Sequence, residues 1–161
     1  MEPVEYILNQ KNRKSFQYIS ILKSLVQILD CQTILDQAVN LNNVDKEPHG
    51  TCAQIYRSFF DGALFKENGL LSKQESISLI LYIDDFEICN PLGTSRRKHK
   101  ICGLYWILGN LPPGCNSALS SIYLAALIKS TDLKCYGYDK VLEPFLNDLV
   151  QGYSTSLTSG P

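Results

Sequence analysis

ISLILYIDDFEICNPLG at residues 77–93, TSRRKHK at 94–100 and ICGLYWILGNLPP at 101–113 form one continuous stretch, and its reading decides the fold. An extended apolar run meets two adjacent carboxylates, passes through an Asn-Pro-Leu-Gly turn and a basic cluster, and returns as a second apolar run. Residues 79–83 are mostly β-branched or aromatic and contain no Pro or Gly, the composition of a buried strand, here one that closes on acids. Side chains alternate across a strand, so Asp84 shares a face with Ile80, Tyr82 and Phe86, and Asp85 shares the other with Leu81 and Ile83. Two acids so disposed cannot act as one bidentate pair. Paired acids at a strand end also cap turns or pair with cations, here Lys98 or Lys100.

Downstream of the acids, Arg96, Arg97, Lys98, His99 and Lys100 make the most basic segment of the chain. Such a segment is either a solvated loop tip or a phosphate-contacting loop beside an acidic site. The run 101–108 predicts a second strand, closed by Gly109-Asn110 and Pro112-Pro113, with Tyr105 and Trp106 on opposite faces. SIYLAALIKS (121–130) predicts a third strand from its place between turn signals. Val141, Leu142, Phe145, Leu146, Leu149 and Val150 recur at helical spacing and predict a helix over 138–150, with Pro144 near its start.

Upstream, residues 1–14 read as a polar, loosely docked arm. Ser15 offers an N-cap for a helix on which Phe16, Ile19, Leu22, Val26 and Leu29 share a face. A second short helix is expected through Thr33, Ile34, Leu35, Ala38 and Val39. A third, capped by Thr51, would carry Cys52, Ile55, Tyr56, Phe59 and Phe60. ALFKENGLLSKQE (63–75), with Asn68-Gly69 inside it, reads as a turn or small hairpin. The tail QGYSTSLTSGP (151–161) has few apolar anchors and reads as disordered.

The expected organisation is therefore a polar arm (1–14), a helical N-terminal region (15–74), a core (75–150) and a disordered tail (151–161). With 161 residues the length suits a single domain. The fold class is α+β, with N-terminal helices followed by a three-stranded antiparallel meander and a helix. In that meander the acid-bearing strand is the first and central one.

Several function classes are excluded or weakened. A net charge of −1 with 19% charged residues gives no bulk field for polyanions or membranes. No apolar run reaches the ~20 residues of a membrane span. Cys31, Cys52, Cys89, Cys102, Cys115 and Cys135 form no C-x-x-C pair, and the N-terminus lacks a secretory apolar region, which reads as reduced thiols in an intracellular protein. Cys89, His99 and Cys102 match no zinc spacing. Gly93, Gly103 and Gly109 match no phosphate loop, and neither His49 nor His99 sits in a nucleophile motif. One or more acids on a central strand can hold Mg²⁺ or Mn²⁺ for phosphoryl chemistry, provided that other elements supply further acids.

LILYIDDFEICNPLG, followed by HKICGLYWILGNLPP and then by SIYLAALIKS and YGYDKVLEPFLNDL, resembles the transposase-derived proteins scattered through animal genomes. Their core is similar to the ribonuclease H-like (DDE-type) fold of DNA transposases and integrases. Looser similarity upstream, through YRSFFDGALFKENGLL, extends it to roughly residues 16–149. The resemblance implies a partial ribonuclease H-like core, a nuclear location and DNA as partner. It also implies that Asp84, with Asp85 as second choice, stands at the first catalytic acid and metal-binding position.

The chain departs from that family after the last helix, where relatives carry a strand with the second acid and a later region with the third. Asp132, Asp139, Glu143 and Asp148 are the carboxylates that follow the third strand, and none lies in the expected strand context. The expectation is a truncated, N-terminal half of such a domain without independent catalytic activity, needing Mg or Mn only within a complete site. The alternative is a non-enzymatic module that binds nucleic acid through Arg96, Arg97, Lys98 and Lys100, or another protein or a second copy of itself through an open strand edge.

Overall fold

The computed structural model describes residues 1–44, 62–69, 76–88, 100–112, 115 and 118–158. The chain divides into two compact units: Met1–Ile28 with Leu81–Trp106 and Ile122–Pro161, and Leu29–Ile80 with Ile107–Ser121.

The first unit is built on an antiparallel sheet. Its strands are β1 (Val4–Asn9), β2 (Lys14–Tyr18), β3 (Leu79–Glu87), β4 (Lys100–Leu108) and β5 (Tyr123–Lys129), in the order β1-β2-β5-β4-β3. The α+β class and the three expected strands are present, but the sheet has five strands, not three. The acid-bearing strand β3 stands at one end of it rather than at the centre. The extra pair comes from the stretch read as an arm and a helix start. Tyr6 stacks on Phe16 at 5.5 Å and meets Tyr18 edge-on at 5.7 Å, so a cross-strand aromatic cluster holds β1 and β2 extended. The helix expected from Ser15 begins only after that hairpin, as α1 (Ile21–Leu29), with Ser20 Oγ accepting the Lys23 N–H at 3.3 Å.

Register separates the two faces. Cys102 pairs with Ile128, Leu104 with Ala126, Trp106 with Tyr123, and Tyr18 with Ala126. These side chains and Phe16 form the buried face; burying each Leu or Ile there is worth about 1.5–3 kcal/mol. Trp106 lies on it, its ring centroid 4.9 Å from Tyr123, while Tyr105 takes the opposite face. A register shift between Leu104 and Tyr105 leaves Ala125 as the extra residue of β5, and its carbonyl accepts the Ile19 N–H at 2.7 Å.

Helices α4 (Ser130–Tyr136) and α5 (Tyr138–Thr158) follow β5. The first was not foreseen. It closes at Gly137, whose φ of 84° suits glycine and whose N–H bonds the Leu133 carbonyl at 2.9 Å. The second carries Pro144 and continues to Thr158 through much of the stretch read as a disordered tail. Its anchor is Asp148, whose Oδ2 accepts the Tyr18 hydroxyl at 3.0 Å, the Ser20 hydroxyl at 2.6 Å and the Leu22 N–H at 3.3 Å. Gly152 permits a close approach to Leu22, since a Cβ there would lie 3.0 Å from Leu22 Cδ1.

The second unit contains α2 (Gln32–Val44), which matches the expected second helix, and α3 (Ala63–Glu67). Over 63–67 the turn or hairpin reading gives way to α3, because Ala-Leu-Phe-Lys-Glu are tolerant helix residues and Asn68 then ends the helix, its N–H bonding Leu64 O at 3.2 Å; residues 70–75 of that reading lie outside the described residues. Buried Asn110 binds both the Ser76 carbonyl, at 3.0 Å, and the Ser78 N–H, while the Gly109 N–H donates to Ser78 O at 2.7 Å. The helix expected from Thr51 falls outside the described residues.

Candidate functional site

β3 does not stop on its acids: Asp84 and Asp85 are its sixth and seventh residues of nine. The strand tolerates them because each finds its own surroundings. Asp84 is exposed and accepts the Asp85 N–H at 2.8 Å. Its face of β3 also shows Ile80, Tyr82 and Phe86 to solvent, at 44%, 59% and 39% exposure, an unusual apolar display for a sheet end. The charge of Asp84, with a hydrogen bond from the Tyr82 hydroxyl, pushes the Tyr82 phenol above its ordinary value.

Asp85 is also exposed but stands on the opposite face, where its Oδ1 accepts the Ser130 hydroxyl at 2.8 Å. Cys102 lies beside it. Burial first, then the charge and hydrogen bond of Asp85, pushes that thiol up to about 11, so it is a protonated, unreactive thiol at neutral pH. Nearby on α4, buried Asp132 takes the Lys14 ammonium at 2.9 Å, and that hydrogen bond and charge raise Lys14 above its ordinary value.

A two-metal site needs carboxylates from several elements converging on one point. Asp84 and Asp85 diverge, Asp132 is held by Lys14, Asp148 by Tyr18, Ser20 and Leu22, and Glu143 lies 3.9 Å from Lys140 on the α5 surface. Among the described residues no three His, Cys, Asp or Glu side chains gather where an ion could be held. The described donors therefore do not fit Mg²⁺ or Mn²⁺.

Of the basic candidates, Lys100 opens β4 and is exposed. Arg96, Arg97 and Lys98 lie outside the described residues, as do His49, Cys52, Cys89 and His99. Cys31, Cys102, Cys115 and Cys135 are free thiols. No helix among the described residues is long and apolar enough to cross a membrane.

The pairings of Lys14 with Asp132 and of Ser130 with Asp85 escaped the sequence reading because these residues meet only through the association of distant elements. By contrast, the grouping of Tyr82, Asp84 and Phe86 follows directly from strand alternation. No protein-family profile, curated protein or solved structure matches the chain.

Proposed function

We propose that the chain is a transposase-like domain without independent catalytic activity, in which Asp84 holds the inherited first-acid position of a metal-dependent DNA strand-transfer site. The supporting observation is the succession β3, β4, β5 as antiparallel neighbours followed by helices, with the acids inside the first of those strands. That succession supports the ribonuclease H-like reading, and the β1–β2 hairpin beyond β5 lies outside what the resemblance implies. Inactivity is supported by the way the acids are used: Asp85 is engaged by Ser130 on the opposite face from Asp84. On this reading the ancestral partner is DNA, the location is nuclear, and Mg²⁺ or Mn²⁺ belongs only to a complete site. Purified protein incubated with supercoiled plasmid and either cation is expected to leave it intact. Divalent-dependent nicking that disappears in Asp84→Ala overturns the proposal.

A second reading is favoured by the position of β3: a non-enzymatic interaction module that uses the open sheet edge or the loop 96–100. β3 is a nine-residue strand at the end of the sheet with apolar side chains exposed. The nucleic-acid form of this reading expects salt-dependent retention on DNA that is lost when Arg96, Arg97 and Lys98 become Ala. Retention indifferent to salt and to those changes removes it.

A further inference from the structure

The exposed carboxylate of Asp84 is flanked along its strand by aromatic side chains. Tyr82 and Phe86 stand two residues before and after it on the same face of β3, about 7 Å away along the strand on either side. On β4, Tyr105 lies with its ring centroid 6.3 Å from that of Tyr82, tilted by 37°. The Tyr105 ring is laid back over Gly103: a Cβ at Gly103 would come within 2.6 Å of its Cε2, Cζ and hydroxyl atoms. Glycine at this position is what lets the ring lie down. Tyr82 and Phe86 thus flank one carboxylate at the end strand of the sheet, and Tyr105 extends the aromatic surface beside Tyr82. No cation pairs with Asp84 among the described residues, although Lys14 and Lys140 find carboxylates elsewhere.

Aromatic faces attract an alkylammonium group through their quadrupoles, and a carboxylate at the floor adds charge complementarity. An anionic ligand is disfavoured at the same place, which argues against a base-stacking platform for nucleic acid. Among the described residues β4 is the one strand paired with β3, so backbone groups on the outer side of β3 can pair with an extended peptide. We infer that β3 accepts an extended peptide strand and that Asp84, Tyr82, Phe86 and Tyr105 receive a lysine side chain from it. This deepens the interaction-module reading above and is independent of the catalytic ancestry of Asp84.

The test uses the full chain, isotope-labelled, titrated with acetyl-Thr-Val-Lys-Val-Thr-amide and with the same peptide carrying norleucine for lysine. Amide shifts should map to residues 82–86 and 101–105. The lysine peptide should bind about tenfold more tightly, a preference that shrinks as salt is raised. Asp84→Asn should weaken the lysine peptide about fivefold and leave the norleucine peptide unchanged, and Phe86→Ala should weaken it about threefold. Both side chains are exposed, so unchanged amide dispersion verifies that the variants fold. Failure of both peptides to bind at millimolar concentration overturns the open-edge reading and this inference together. Equal binding of the two, shifts that map to β1, or indifference to Asp84→Asn overturns the lysine site while leaving the edge.

Discussion

The two ends of the sheet are finished differently. β1 is six residues long, follows Pro3 directly, and carries a register irregularity between Ile7 and Asn9. Proline and bulges are the devices by which natural sheets blunt an edge. β3 runs for nine residues without Pro, Gly or Lys, with Tyr82 and Phe86 exposed on one face. The fastening differs as well. β2, the neighbour of β1, is tied to α5 through Asp148, which receives three donors, and to α4 through Lys14 and Asp132. At β3, one hydroxyl from Ser130 reaches Asp85. The lesson is that Pro and bulge protection stand at the N-terminal hairpin, whereas β3 carries acids and presents Tyr82, Asp84 and Phe86 to solvent.

The largest expected effect lies at the anchored end. Asp148→Ala removes the acceptor of the buried Tyr18 hydroxyl and loosens the cap of α1, and should cost about 2–4 kcal/mol in urea unfolding, with amide exchange in β1 and β2 accelerated before that in β4. Exchange that rises equally in all strands would erase the contrast between the ends. Lys14→Met leaves Asp132 buried without its cation and should lower the unfolding midpoint by less than Asp148→Ala does. At the other end, Asp85→Ala removes one hydrogen bond and should cost about 1 kcal/mol.

That same change should bring the Cys102 thiol down. In the native protein this group titrates near 11, above its ordinary 9.0, so the folded state holds the proton more tightly than the unfolded chain. Its contribution is complete below pH 9 and is lost as pH rises towards 11. The urea midpoint should fall across that window, less steeply in Cys102→Ala. The smallest effect on stability is expected for Gly103→Ala, because the Tyr105 ring can swing aside; the lysine preference of β3 should nevertheless drop about threefold.

Much of this sheet was legible. The strands over 100–108 and 123–129 declare themselves through β-branched and aromatic runs between turn signals, and the opposite facing of Asp84 and Asp85 needs only the period of a strand. The hairpin was not legible for a physical reason. Phe16, Ile19 and Leu22 fall at helical spacing, but residues 14–18 are held extended by β5, more than a hundred positions away, and by the stack on Tyr6. Local periodicity cannot report a partner that distant. Likewise Gly152 and its Ser/Thr-rich neighbours favour coil by propensity, and the helix persists because Asp148 is gripped by β2 and α1. As for the candidate site, alternation exposes the company of Asp84 on its own strand, whereas Tyr105 arrives from β4 and lies down only because residue 103 lacks a side chain.

The Tyr18–Asp148 link joins residues 130 positions apart. During synthesis the hairpin therefore emerges long before the carboxylate that fastens it exists, and an isolated two-stranded hairpin is marginal in water. Closing so long a loop adds an entropic cost to docking the hairpin, and long-range pairing of this kind slows folding. Its N-terminal strands spend the interval as exposed, pairing-competent chain, for which Pro3 is a fitting guard.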